Sequence, residues 1–134
     1  MKTTLEEAKM RMPNRMSQIE PWLIDTSEAL GERNRDWLEA ERPNWEVLFN
    51  QIESSPLNLS QQYAVLLNDD HNLVLAGAGS GKTSVLTARV AYLLQSHQAQ
   101  AEELLMLAFG RDAATEMKER LVDKVGMAAD GVRV

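Results

Sequence analysis

The 134-residue chain contains no cysteine. That absence excludes disulfides, thiolate metal sites and thiol catalysis, and it fits a reducing compartment. No apolar stretch reaches membrane-spanning length. The opening "MKTTLEEAKMRM" carries acidic side chains and lacks the apolar core of a secretory signal, so the expected location is the cytoplasm, with no membrane as a partner. Basic charge is also in short supply. The formal net charge is −6, which excludes a surface given over as a whole to nucleic acid while leaving room for a local basic groove. The excess acid sits mainly in residues 1–56, with 7 basic and 11 acidic side chains, against 7 and 9 in residues 57–134. Internal repeats and low-complexity segments are absent as well.

What is present belongs to an ordinary globular protein. Hydrophobic residues make up 44% and charged residues 25%, enough for one core plus an appendage at this length. Residues 1–56 show no strand-like alternation and read as a helical leader broken at Pro13, Pro21 and Pro43. The leader holds Trp22, Trp37 and Trp45. Trp37, Trp45, Leu48 and Ile52 recur at about one- and two-turn spacing, a stripe that packs against the following domain or, alternatively, marks a partner-binding helix. "ESSPLN" then stops the helix, and Ser60 is placed to cap the next one, "QQYAVLLN".

From residue 72 the pattern changes. "NLVLA" and "ELLMLAF" (103–109) are continuous apolar runs suited to strands covered on both faces. After the first comes a helix over 81–95 with Leu86, Val90, Leu93 and Leu94 on one face. After the second comes a helix over 111–125 with Ala114, Met117, Leu121 and Val125 inward and a Glu116–Arg120 pair outside. This rhythm predicts an α/β fold, a βαβ unit with a parallel sheet, and "DGVRV" reads as a third strand beginning. So few strands make an incomplete sheet, and its edge beside "ELLMLAF" predicts self-association.

Between the first strand candidate and its helix lies "AGAGSGKT", residues 76–83. It fits the phosphate-loop pattern, with Ala76 in place of the first glycine. A triphosphate must rest on backbone N–H groups, so Gly77, Gly79 and Gly81 remove side chains and permit the positive-φ turns that aim those donors inward. Ala78 and Ser80 complete the loop, and the helix that follows adds its positive end. Lys82 is the catalytic candidate, reaching the β- and γ-phosphates, and the Thr83 hydroxyl is the candidate Mg²⁺ ligand, so ATP and Mg²⁺ are the expected ligands. A dinucleotide fingerprint would need glycine where Lys82 stands, which sets that reading aside. Hydrolysis needs a further carboxylate at a strand end. "ELLMLAF" ends in Phe109, Gly110 and Arg111 instead, while Asp69 and Asp70 precede the first strand candidate.

Three ordered stretches carry a resemblance: "LNLSQQYAV", "AGAGSGKTSVLTARVAYLL" and "LMLAFGRDAATEMKERL" resemble the Q motif, motif I and motif Ia of the UvrD-type superfamily 1 DNA helicases, over about residues 57–125. "FNQIESSPLN" and the acidic, Trp-containing leader resemble one branch of that family more than its general repair helicase. The resemblance implies a RecA-like P-loop NTPase domain beginning at residue 57. It makes Gln61 the adenine-reading glutamine, whose alternative is an ordinary helix-surface residue. It makes Phe109 the aromatic beside single-stranded DNA, although composition alone places Phe109 in the core. Gly110 and Arg111 join it as DNA-binding candidates, whereas Asp112, where many members have lysine, would repel a phosphate. Ser84 stands where an arginine often follows the loop threonine.

The resemblance implies a fragment, residues 57–134 being the first part of the ATP-binding domain and ending before the Asp-Glu box. The intact protein would move 3′ to 5′ on single-stranded or partly duplex DNA and unwind it, and the isolated chain would be inactive. Two alternatives are a different phosphate-loop enzyme such as a small-molecule kinase, and a non-enzymatic module whose leader binds a partner.

Overall fold

The computed structural model describes residues 10–11 and 27–134. Pro13, Pro21 and Trp22 lie outside the described residues. The chain divides into two compact units, Met1–Trp37 and Leu38–Val134, with the boundary inside the first long helix among the described residues, α1 (Ser27–Glu41). In the second unit a 3₁₀ turn at Arg42–Trp45 leads into α2 (Glu46–Gln51), followed by α3 (Leu59–Leu66), α4 (Lys82–Gln95) and α5 (Arg111–Val125). The α-helix is interrupted at Pro43 as its sequence predicts: α1 stops at Glu41, and Pro43 sits in the first turn of the 3₁₀ segment that separates α1 from α2.

The expected parallel sheet is absent among the described residues. Asn72–Ala76 has no regular secondary structure, and Leu73, Val74 and Leu75 are 85, 49 and 86% exposed. In "ELLMLAF" only Met106 is buried, with Leu105 and Leu107 pointing outward. Among the described residues the single trace of pairing is an isolated parallel bridge between Leu105 and Arg133. In it the Met106 amide donates to the Arg133 carbonyl at 2.8 Å, and the Arg133 amide to the Leu104 carbonyl at 3.1 Å. The physical reason is that an apolar run supplies only a fit to a half-buried pleated surface, whereas a strand exists through its neighbours' hydrogen bonds. Asn72–Ala76 has no such neighbour here, so the fold among the described residues is helical.

Two apolar clusters share α4 as their common wall. On one side Val85, Ala88, Ala91 and Tyr92 meet Val65 and Leu66 of α3, with Phe49 of α2 and Ile52 just after it. On the other, Val90 meets Met117 and Leu121 of α5, with Met106 and Val132 from the bridged segments. This two-sided burial corrects the single-face reading of α4: Val90 is buried and Leu93 and Leu94 partly so, but Leu86 is 46% exposed. The α5 face falls where its spacing puts it, with Met117 and Leu121 buried and Ala114 and Val125 half-buried. On its outer side Arg120 pairs with Glu116 at 3.7 Å and with Glu53 at 3.6 Å. In the Trp stripe, Trp45 and Leu48 pack on the first cluster with Ile52, while Trp37 is 42% exposed.

The cap of α3 is Asn58, not Ser60. Its side-chain oxygen accepts from the Gln61 amide at 3.0 Å, and the Gln61 side chain accepts from the Asn58 amide at 2.8 Å, a reciprocal capping box. Ser60 lies one residue inside the helix. At the far end of α4, His97 adopts φ 56° while the His97 and Gln98 amides donate to the carbonyls of Leu94 and Leu93, a Schellman closure built on a residue other than glycine.

Candidate functional site

The Gly-rich turn runs from Ala76 into α4. Gly81 is the cap of α4 with φ 81°, and Gly79 has φ 72°, so both adopt the left-handed conformation that L side chains avoid. Gly77 is not in that region, which corrects the expectation that all three glycines make positive-φ turns. Gly81 has a second reason to be glycine: a Cβ there would stand 2.7 Å from the Gln61 amide nitrogen.

The loop is folded on itself. Lys82 Nζ donates to the Gly77 carbonyl at 2.6 Å and to the Ala76 carbonyl at 3.3 Å. The Gly77 carbonyl also accepts the Ser80 hydroxyl at 2.7 Å and the Ser80 amide at 3.4 Å. Three donors therefore converge on one oxygen that has two lone pairs. Thr83 is the second residue of α4 and half-buried, and its carbonyl accepts from the Thr87 hydroxyl at 3.0 Å. The amides of the first turn, Lys82 to Ser84, have no carbonyl one turn back within the helix, so this end of α4 is an array of donors with a partial positive charge.

Gln61 reaches the loop across 19 residues of sequence. Its side-chain nitrogen donates to the Ser80 carbonyl at 3.0 Å while its oxygen is held by the Asn58 amide. Gln61 and Lys82 thus line one cleft of about 520 Å³, together with Asn58, Ser60, Asn72, Val74, Gly77 and Ser80. No carboxylate lines it, and among the described residues no group of acidic and histidine side chains is arranged to hold a metal.

Phe109, Gly110 and Arg111 lie elsewhere. None of them lines the cleft. Phe109 is fully exposed, at 112%, so it is not part of the core as composition suggested. Gly110 caps α5 in an extended conformation, and Arg111 and Asp112 form the exposed first turn of that helix.

The sequence reading missed a polar network joining α3 to α4. Arg89 Nη1 donates to the Val65 carbonyl at 2.5 Å and Nη2 to Asn68 Oδ1 at 2.6 Å. Asn68 in turn donates to Gln98 Oε1 at 3.0 Å, and Gln98 donates to the Tyr92 hydroxyl at 2.8 Å. The Arg89 guanidinium lies 5.7 Å from the Tyr92 ring centre, and the Trp45 ring packs edge-on to Tyr92 at 4.8 Å. Desolvation by burial lowers the Arg89 pKa, offset in part by Tyr92. One signal was available: Arg89 interrupts "VLTARVAY" between Ala88 and Val90, and a charged residue inside an apolar helix face needs a partner.

With this geometry in place, the chain can be set beside known proteins. The UvrD/REP helicase N-terminal domain matches residues 57–134. DNA helicase IV of Escherichia coli (strain K12) is 47% identical over 108 residues, covering 81% of this chain and 16% of that protein. The ATP-dependent DNA helicase PcrA of Bacillus subtilis (strain 168) is 46% identical over 83 residues, 62% of this chain and 11% of that one. The ATP-dependent DNA helicase UvrD1 of Mycobacterium tuberculosis (strain CDC 1551 / Oshkosh) is 45% identical over 73 residues, 54% and 10%. The leader's likeness to one branch is thus a likeness to DNA helicase IV. The chain spans about one sixth or less of the length of these relatives.

Proposed function

We propose, from the premise that the chain belongs to the UvrD/REP helicase family, that its Gly-rich cleft binds ATP for a motor acting on DNA. The observation that carries this reading is the meeting of Lys82, the loop carbonyls and Gln61 in one cleft. Lys82 Nζ is the third donor on the Gly77 carbonyl, a poorer position than an ionised phosphate oxygen offers. A triphosphate entering the loop draws the ammonium off that carbonyl and onto its β- and γ-oxygens, while the first-turn amides of α4 hold the same anion.

Gln61 serves the base. With one N–H on the Ser80 carbonyl and one lone pair taken by the Asn58 amide, its side chain keeps a second N–H and a second lone pair in the cleft, the donor and acceptor that the adenine edge requires. The residues fit an Mg²⁺ ion carried in with the nucleotide: Thr83 sits beside Lys82 at the helix start, and its hydroxyl would be a ligand together with phosphate oxygens. Bound there, the ion would neutralise charge developing on the transferred phosphoryl group.

At the second site Phe109 gives a base a stacking face, with Gly110 allowing close approach and Arg111 meeting a phosphate. In the whole protein this reading amounts to ATP-driven 3′ to 5′ movement on single-stranded or partly duplex DNA, with unwinding. A cytoplasmic setting belongs to it, supported by the absence of cysteine. So does self-association of the chain, supported by the exposed Leu73, Leu75, Leu105 and Leu107. A monomer by light scattering at high concentration would count against that last part.

The decisive experiment is calorimetric titration of the 134-residue chain with Mg-ATP, alongside an assay for phosphate release. Binding without turnover is expected, because no carboxylate lines the cleft to complete the metal site. Turnover that Lys82→Ala abolishes would overturn the expectation of inactivity. Absence of any ATP binding would overturn the proposal itself.

A further inference from the structure

We propose that Arg89 is a positioning residue for base recognition: from the far end of α3 it fixes where Gln61 stands relative to the phosphate loop. The inference rests on reading the cleft as an ATP site.

The geometry is that of a helix tethered at both ends. At its N-terminal end, α3 is tied to the loop by the Gln61 bond to the Ser80 carbonyl. At its C-terminal end it is tied to α4 by Arg89, which forks across the Val65 carbonyl and Asn68 Oδ1. Val65 lies in the last turn of α3, where carbonyls have no amide partner within the helix and a cation is favoured. The fork itself is held in place. Asn68 is bonded to Gln98, Gln98 to Tyr92, and the Tyr92 ring lies under the guanidinium, so the side chains close into a ring around Arg89.

If Arg89 only filled space, an uncharged side chain would do so without the desolvation that lowers its pKa. What arginine alone supplies is a rigid planar fork gripping two points at once, which fixes orientation as well as distance. Four residues separate Val65 from Gln61, about 6 Å of helix, so a tilt of about 10° about the Arg89 end shifts the Gln61 backbone by about 1 Å. A hydrogen bond to a base edge does not survive such a shift. The phosphates, in contrast, are held by the loop and the first-turn amides of α4, which α3 touches at this end only through Gln61, on the Ser80 carbonyl and beside Gly81. ATP therefore measures the spacing between two elements, whereas a bare triphosphate measures only one of them.

The test compares calorimetric titrations of the chain with Mg-ATP, Mg-GTP and magnesium tripolyphosphate. For Arg89→Met the expected result is ATP binding about ten-fold weaker and tripolyphosphate binding changed by less than about two-fold, so that the preference for ATP over GTP collapses. Arg89→Lys, which keeps the charge and loses the fork, is expected to fall between the two. Asn68→Ala alters an exposed residue and is expected to weaken ATP about three-fold in the same selective way. Equal weakening of ATP and tripolyphosphate, or no weakening of either, overturns the proposal. Should Arg89→Met fail to fold, an unchanged ratio of ATP to tripolyphosphate affinity in both Arg89→Lys and Asn68→Ala overturns it as decisively. Wild-type chain that binds neither ligand, or Lys82→Ala that binds both as wild type does, overturns instead the ATP reading beneath it.

Discussion

The Gly81–Lys82 and Gly110–Arg111 pairs occupy the same place in two helices: a glycine cap followed by a basic residue at the first helical position, at the starts of α4 and α5. In sequence they look alike, yet the structure treats them differently. Gly81 has φ 81° and lies against the Gln61 side chain, and Lys82 folds back onto loop carbonyls at 2.6 and 3.3 Å. Gly110 is extended at φ −162°, a Cβ there would meet nothing within 4 Å, and Phe109 beside it is wholly exposed. The first helix start is a built concavity, suited to a compact anion. The second is an open face, suited to a ligand that lies along a surface. A small charged ligand needs convergent donors set by the local backbone. A strand of nucleic acid needs only accessible stacking and charge.

The strongest way to break this contrast is to remove both basic residues in turn. Lys82→Ala is expected to weaken Mg-ATP binding by about 3 kcal/mol, or more than a hundred-fold, through loss of charge-assisted bonds to two phosphates. Arg111→Ala is expected to leave ATP binding unchanged, because Arg111 does not line the cleft. Titration of both variants with ATP checks the pair, and equal losses would mean that the two helix starts are not distinct sites. The glycines sharpen it further. Gly81→Ala combines left-handed strain with displacement of the Gln61 amide and should cost about 2 kcal/mol in denaturant unfolding. Gly110→Ala, extended and in open space, should cost less than about 1 kcal/mol.

The contrast also explains which parts of the molecule could be read from sequence. The loop was legible because its eight residues are consecutive and its geometry is set locally by glycines and a helix start. The buried face of α5 was legible because one helix packing on one side leaves a clean periodicity in Met117, Leu121 and Val125. The strands were not, because Leu73 to Leu75 carry the propensity while the hydrogen-bonding neighbour that would make them a strand is a matter of tertiary pairing. Leu86 was misplaced for a related reason: α4 is covered on two faces, so its apolar positions do not define one stripe. The choice of Asn58 over Ser60 as cap turned on a residue two positions earlier, within the usual uncertainty of helix ends. Arg89 was missed because its partners lie 21 and 24 residues away and no local pattern points to them.

Phe109 tests the open face directly. Phe109→Ala removes a side chain that contributes no core packing, so the unfolding midpoint is expected to hold within about 0.5 kcal/mol. Affinity for a single-stranded oligonucleotide, followed by fluorescence anisotropy at fixed salt, is expected to fall about ten-fold, with ATP affinity untouched. Unchanged oligonucleotide binding would remove Phe109 from the DNA face and leave Arg111 as its sole support.

The smallest expected effect lies at the other end of α4, where the chain holds a positive-φ position without glycine. His97 has φ 56°, the conformation that Gly79 and Gly81 adopt in the loop, and it closes the Schellman turn that carries Gln98 toward Tyr92 and Asn68. An L side chain in that conformation costs about 1 kcal/mol, and the greater freedom of glycine in the unfolded chain returns part of it, so His97→Gly should stabilise the protein by about 0.5 kcal/mol. Because the Gln98 bonds do not involve the histidine ring, the ratio of ATP to GTP affinity should stay at its wild-type value. The two readouts separate backbone strain from ligand recognition. Glycine at position 81 of the loop permits the close approach of Gln61, whereas the turn after α4 needs only its backbone angle. Loss of stability in His97→Gly would show that the imidazole makes a contribution in the folded state larger than the strain it brings, and the two kinds of positive-φ position would no longer be distinguishable by substitution.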